Sequence, residues 1–406
     1  MMVDASSRQV NAMPAPTWYR LRMNRVLLPA DSPKSALAAV IESEGFVECP
    51  ADDAFDRALE RLQARAVSHP MPLRKGFSDE GLNTPALSAY QRNLARREAQ
   101  ANAAASFRTG SGPAAAALIA KLAPKRRVLA TAPGTQDARA FIHLRASDDA
   151  CAGAIDIVLA EDSAVAVTVL FDGADAQAGF AGVNLRVFCG ARSRLSIATV
   201  QACGENCTLL DDTGCVLDDD ARVHTTCFAL SAGASYTGFA CDLRGARSGV
   251  RAETHYLATG DAELDFNYEF DHHGPATESD LNANGVLVGE SAKTLKATID
   301  FIRGCKGARG HEQETALIAG EQARNRSCPV ILCGEDDVAG DHGATIGHIG
   351  AEQLFYLASR GLAQADAEAL FARATLDAAL QACADERVQR AVARIDDFGK
   401  EPTCDR

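Results

Sequence analysis

Aromatic side chains are scarce, at 6% of 406 residues with a single tryptophan, Trp18. The 47% hydrophobic fraction is therefore filled largely by alanine, valine and leucine, which suits thin, close-packed layers better than wide aromatic pockets. No stretch approaches the roughly 18 uninterrupted apolar residues of a membrane span, and Met1 to Thr17 holds no apolar run of an export signal. Neither export nor membrane spanning is expected. Positive charge is also short: 41 Lys plus Arg against 54 Asp plus Glu leave a net charge of -13, which repels a phosphate backbone and argues against general nucleic-acid binding. HExxH, GxSxG and GxxxxGK(S/T) are all missing, and with them the usual signs of a zinc protease, an α/β-hydrolase or a P-loop nucleotide site.

A disulfide framework is absent too. The 13 cysteines are odd in number and scattered from Cys49 to Cys404 without a short repeated spacing, which fits reduced thiols in a cytosol, most of them buried as small hydrophobes. Cys203 and Cys207 lie four apart, so on one strand they would share a face, but no second pair completes a structural zinc site.

The pattern that is present changes period twice. From Asp52 to about Gln100 it is helical, with Phe55, Leu59 and Leu62 at three- and four-residue spacing. Gly110-Ser111-Gly112-Pro113 reads as a linker before an alanine-rich stretch ending near Lys121. From about Arg127 the period becomes two: Val165, Val167, Val169 and Phe171 alternate with other residues, as do Leu195, Ile197 and Thr199, then Val223, Thr225 and Cys227, then Ala252, Thr254 and Tyr256. In the last run, Leu264, Phe266, Tyr268 and Phe270, every intervening residue is polar.

Some two hundred residues of short strands without helices between them exclude a doubly wound α/β fold. A sandwich, barrel or solenoid remains, and stacked β-helix rungs fit the length best. Near Gly350 helical spacing returns in Leu354, Phe355, Leu357 and Ala358, with Gly361 as a left-handed C-cap, and a second helix runs through Leu370, Phe371, Ala374, Leu376 and Leu380 toward Arg394. The divisions are an N-terminal helical region (1–126), a β-helix core (127–349) and a C-terminal helical region (350–406).

The densest polar segment runs from Gly334 to His348. Its acids Glu335, Asp336 and Asp337 precede a glycine-bounded pair, Asp341 and His342, read as an accessible turn; a metal-handling surface and a solvated acidic turn are both consistent with it. His272 and His273 open a turn before Gly274-Pro275 and read as exposed or turn-bonding.

Several of these stretches carry a resemblance. Asp265-Phe266-Asn267-Tyr268, Gly274-Pro275-Ala276-Thr277-Glu278-Ser279, Thr298-Ile299-Asp300-Phe301, Arg303-Gly304-Cys305-Lys306-Gly307, His342-Gly343-Ala344-Thr345-Ile346-Gly347 and Leu354-Phe355-Tyr356-Leu357-Ala358-Ser359-Arg360-Gly361 resemble the SufB/SufD family of iron-sulfur cluster assembly scaffolds. Thr17-Trp18-Tyr19-Arg20-Leu21-Arg22-Met23-Asn24 resembles its SufD branch. The resemblance implies a mainly β fold, a right-handed parallel β-helix flanked by N- and C-terminal helical regions. It implies a cytoplasmic, non-enzymatic subunit of a complex with a SufB-like scaffold and a SufC-like ATPase, pairing with a second copy being the other option. It places His342, with Asp341 beside it, at the interface where a transient iron-sulfur cluster or iron is held, with no cofactor bound tightly by the chain alone. Family members with a cysteine two residues before that histidine differ from this chain, which has Gly340, and Gly343 after it favours SufD over SufB. Leu354, Phe355, Tyr356 and Arg360 become the expected ATPase-facing surface. The competing readings are an exported-type β-helix carbohydrate-active enzyme using Asp336, Asp337 and Asp341, and a purely structural binding module.

Overall fold

In a computed structural model of the chain, the residues described are 8–15, 23–28, 33–48, 50–68, 107–146, 150–173, 179–319, 322–348, 351–362 and 385–398, with positions 373, 374, 377 and 381. A two-residue antiparallel pair, β1 (Gln9–Val10) and β2 (Val26–Leu27), precedes two long sheets. One sheet consists of β3 (Ala36–Ala38), β5 (Arg127–Ala130), β7 (Ala150–Leu159), β9 (Gly179–Cys189), β11 (Cys207–Leu217), β13 (Ala234–Leu243), β15 (Glu263–His272), β17 (Ala292–Phe301) and β19 (Arg324–Cys333). The other consists of β4 (Val40–Glu44), β6 (Ala138–Arg145), β8 (Ala164–Gly173), β10 (Arg194–Cys203), β12 (Arg222–Ser231), β14 (Gly249–Ala258), β16 (Glu278–Leu287), β18 (Arg309–Ile318) and β20 (Ala339–His348). From β7 onward the chain alternates between the sheets, and each strand pairs in parallel with the strand two before it. This is a parallel β-solenoid, as expected from the length of the region of short strands and from the family resemblance.

The turn length is not constant. It is 26 residues from Leu210 to Tyr236 and 32 from Thr294 to Arg326, so register is kept by strand pairing and not by a fixed sequence repeat. One corner recurs with the same left-handed backbone in Asp162, Arg192, Asp220, Arg247 and Ala276, and Arg192 pairs with Asp162 and Arg247 with Asp220 across successive turns. Each Arg there braces a conformation that L residues rarely adopt.

Alternation sends Val165, Val167, Val169 and Phe171 inward with Leu264, Phe266, Tyr268 and Phe270, and these side chains stack into one continuous core. Of ten cysteines described, nine are buried and Cys333 is exposed. Cys203 and Cys207 do not share a strand. They end β10 and begin β11, on either side of a corner, and burial pushes the Cys203 thiol well up. His272 is buried, not exposed: it bonds Thr277 Oγ1 at 2.7 Å and Ser279 Oγ at 2.9 Å, and burial pushes its pKa down to about 3.

The polar residues between the β15 aromatics are buried as well, because the N-terminal part of the chain covers them. The 110–112 segment is no free linker. Gly110 N donates to Thr213 O at 3.0 Å, Ser111 N to Asp212 Oδ1 at 2.8 Å, and Asn267 Nδ2 to Gly110 O at 2.8 Å. Arg108 pairs with Glu269 and Asp271, and Asn11 reaches Asp265, which also holds Lys296. Residues 36–44 of the same region supply β3 and β4, so the first 126 residues add strands to the solenoid besides helices.

Helix α1 (Ala54–Ser68) packs Phe55, Leu59 and Leu62 onto Phe188 and Val216, the face expected from their spacing. Helix α2 (Pro113–Leu122) starts on Pro113, whose missing N–H costs nothing at that position, and buries Ala115, Ile119 and Leu122 against Ala152, Ala154, Leu210 and Tyr236. Helix α3 (Ala351–Ser359) ends at Gly361 with φ 84°, the left-handed cap expected there. Helix α4 (Glu386–Phe398) lays Val388, Ala391 and Val392 across Phe141, Val200, Phe228 and Leu257. Leu370, Phe371, Leu376 and Leu380, residues 69–106 and the Trp18 segment lie outside the described residues. No described helix is long and apolar enough to cross a membrane.

Candidate functional site at the open end of the solenoid

The two ends of the solenoid are finished differently. At the N-terminal end β4 runs antiparallel to β6 and β3 is three residues long, so the parallel ladder is blunted. At the other end β20 is a regular ten-residue strand paired to β18, and among the described residues nothing pairs with its second edge. Nearly all its residues are exposed, including Ile346 at 50%. Ten residues of unmatched backbone donors and acceptors form a template for another strand.

Asp341 and His342 lie on this strand, not on a turn. The turn is one step earlier, where the Glu335 carboxylate accepts from Gly304 N and Asp336 N, both at 3.0 Å, which lowers its pKa. Asp336 and Asp337 are exposed there, and Asp337 sits 3.8 Å from Lys306. On a strand, neighbours face opposite sides. Asp341 points outward and pairs with His311 Nδ1, its register partner on β18. His342 is on the other side, in register with Glu312. The acids and the imidazole therefore do not converge on one pocket, and Asp341 does not serve the same face as His342.

Behind His342 the solenoid interior is polar. Glu312 is 3% exposed, and Glu314 and Lys293 form an ion pair with both side chains closed to solvent. Burial, then repulsion from Glu314, pushes the Glu312 carboxyl up to about 8. Lys293 is pushed down by burial and its ammonium lies 5.4 Å from the centre of the Tyr256 ring. Gly285 makes room for that ring, since a Cβ there would come within 2.2 Å of it. Sequence reading missed this group. The signal was Glu312 and Glu314 at the inward parity of β18, between Gly310 and Ala316, where the pattern calls for apolar residues.

Of the expected ATPase-facing residues, Phe355 is 77% and Tyr356 57% exposed, and Arg360 stacks over Tyr356 at 5.3 Å from the ring centre. Leu354 lies in the same helix, its side chain outside those described. Exposed aromatic surface capped by an arginine is unusual on a helix without a partner.

The family model described as "SUF system FeS cluster assembly, SufBD core domain" matches residues 142–375, from β6 past α3. The chain belongs to the SufB/SufD family. The iron-sulfur cluster assembly protein SufD of Bacillus subtilis is 25% identical over 189 residues, 47% of this chain and 42% of that protein. SufD of Escherichia coli is 25% identical over 181 residues, 44% of this chain and 43% of that protein. A SufBD family protein of Mycobacterium bovis is 30% identical over 117 residues, 29% of this chain and 14% of that one. The chain thus spans less than half the length of the SufD relatives it matches, and with them it falls in the SufD branch. The solenoid of this SufB/SufD-family chain, with its open end and exposed helix α3, lies almost wholly within the matched region.

Proposed function

We propose that the chain is a non-enzymatic scaffold subunit that assembles iron-sulfur clusters together with a SufB-like scaffold and a SufC-like ATPase. The observation that carries this reading is the free second edge of strand β20, which bears His342 at the open end of the solenoid. An apposed scaffold strand would complete the ladder and close the polar interior. The cluster, or the iron destined for it, is cargo at that junction. Neutral imidazole binds iron, while cluster iron prefers thiolate, so thiolates come from the SufB-like partner where this chain has Gly340. Helix α3, through Phe355, Tyr356 and Arg360 with Leu354 beside them, docks the ATPase, and the work takes place in the cytoplasm.

The test is co-expression with SufB-like and SufC-like partners, followed by anaerobic reconstitution monitored by visible absorption. A stable complex whose cluster yield falls on His342→Ala supports the reading. A complex with undiminished yield leaves only a structural module, and a chain that ignores both partners removes the scaffold reading altogether.

A further inference from the structure

The polar interior behind His342 sets two carboxyls, Glu312 and Glu314, against one ammonium, Lys293. Lys293 is ion-paired with Glu314 and also lies within electrostatic reach of Glu312, the second Glu314 oxygen is closed to solvent without a hydrogen bond, and Glu312, only 3% exposed, has no hydrogen bond from any described residue. Leaving a buried carboxylate unpaired is costly, and a cation is what removes the cost. Glu312 is not sealed in on every side. Its register partner on the last strand is His342, exposed at the mouth, and adjacent strands lie only about 4.8 Å apart with such partners on one face.

We propose that Glu312 is a second protein ligand at the open end: its carboxylate and the His342 imidazole together take a divalent first-row transition ion. One imidazole and one carboxylate suit such an ion, whereas magnesium and calcium would want oxygen donors throughout. Among the described residues no three His, Cys, Asp or Glu side chains gather around one point, so the pair leaves coordination positions for water or for donors of an apposed chain. An incomplete site of this kind holds an ion loosely enough to pass it on. That the ion is ferrous iron rests on the scaffold reading; that Glu312 and His342 act together does not.

The experiment is an anaerobic titration of the full chain alone with cobalt(II), a spectroscopic stand-in for ferrous iron, for wild type, Glu312→Gln, His342→Ala and Asp341→Asn. Glu312→Gln and His342→Ala are each expected to weaken binding by about tenfold or more, while Asp341→Asn, altered on the opposite face, binds as wild type. Gln fills the volume of Glu without a charge, so near-ultraviolet circular dichroism of that variant should match wild type. The proposal is overturned if wild type binds no cobalt, if Glu312→Gln binds as well as wild type, or if Asp341→Asn is weakened equally. Because no partner is present, these outcomes are independent of complex formation. Loss of cluster yield in His342→Ala alongside unchanged cobalt binding in Glu312→Gln would sink this inference and leave the scaffold reading standing.

Discussion

Lys293 and Glu314 are paired inside the solenoid on facing sheets, with side-chain exposures of 0% and 1%. Removing one partner strands the other charge where water cannot reach it. Lys293→Met, which leaves Glu314 without its cation, should therefore lower the unfolding free energy by about 3–5 kcal/mol, and Lys293→Met with Glu314→Leu should recover much of the loss. Urea unfolding of the single and double variants checks both. A double variant as unstable as the single would show that the pair itself, and not the unpaired charge, sustains the last turns.

Gly110 crosses Gly238 so closely that a Cβ on Gly110 would lie 2.0 Å from Phe239 N, and one on Gly238 would lie 2.1 Å from Ser111 N. Backbone cannot yield as a side chain can. Gly110→Ala or Gly238→Ala should cost about 2–4 kcal/mol, or lift the strap off the sheet. Limited proteolysis around residues 107–112 distinguishes the two, since only a lifted strap is cut while the core stays folded.

Asp211 faces the solenoid interior beside Thr213 and Gln201, and burial, then the neighbouring Asp212, pushes its pKa up to about 7. In the unfolded chain it titrates near 3.8. Between these values the folded state holds the extra proton, so stability falls as pH rises from about 4 through about 7 and is level above that. Asp211→Asn removes this component. Its advantage over wild type should grow across that window to roughly 1–3 kcal/mol, as read from denaturant midpoints at pH 5 and pH 8.

Ile346 is half exposed on the edge strand β20, whose second edge no described residue pairs. Ile346→Lys should change stability by less than about 0.5 kcal/mol and abolish end-to-end pairing with a SufB-like partner, because a charged edge resists strand addition. Sedimentation of the mixed subunits measures it. Pairing that survives the substitution would move the interface elsewhere.

Phe355→Ala and Arg360→Glu remove the aromatic and its neighbouring cation from helix α3. Each should weaken ATPase binding by about 2 kcal/mol or more, seen as loss of SufC-like protein in co-purification, with cobalt binding at the solenoid end untouched.

The alternating residues from Val165 to Phe270 made strands legible because side-chain period is a local property, and Phe55, Leu59 and Leu62 marked a helix for the same reason. Turn lengths between 26 and 32 residues hid the repeat, since each corner accommodates a different loop while the ladder keeps register. The strap at Gly110 looked like a linker because its partners, Asp212 and Asn267, are more than a hundred residues away. His342 was visible through its motif, but the placement of Asp341 on the opposite face was not, because glycines on both sides suggest a turn until a strand is known to pair there.

By itself, then, the sequence determined the class of fold, the family and the motif that singles out His342, all of which follow from local alternation and from residues in short contiguous motifs. Only the tertiary structure decided which polar residues are inside. Glu312, Glu314 and Lys293 read as ordinary charges along the chain, and they become a buried group behind His342 because stacking the rungs removes water from one face of each strand while the last rung leaves its own face open.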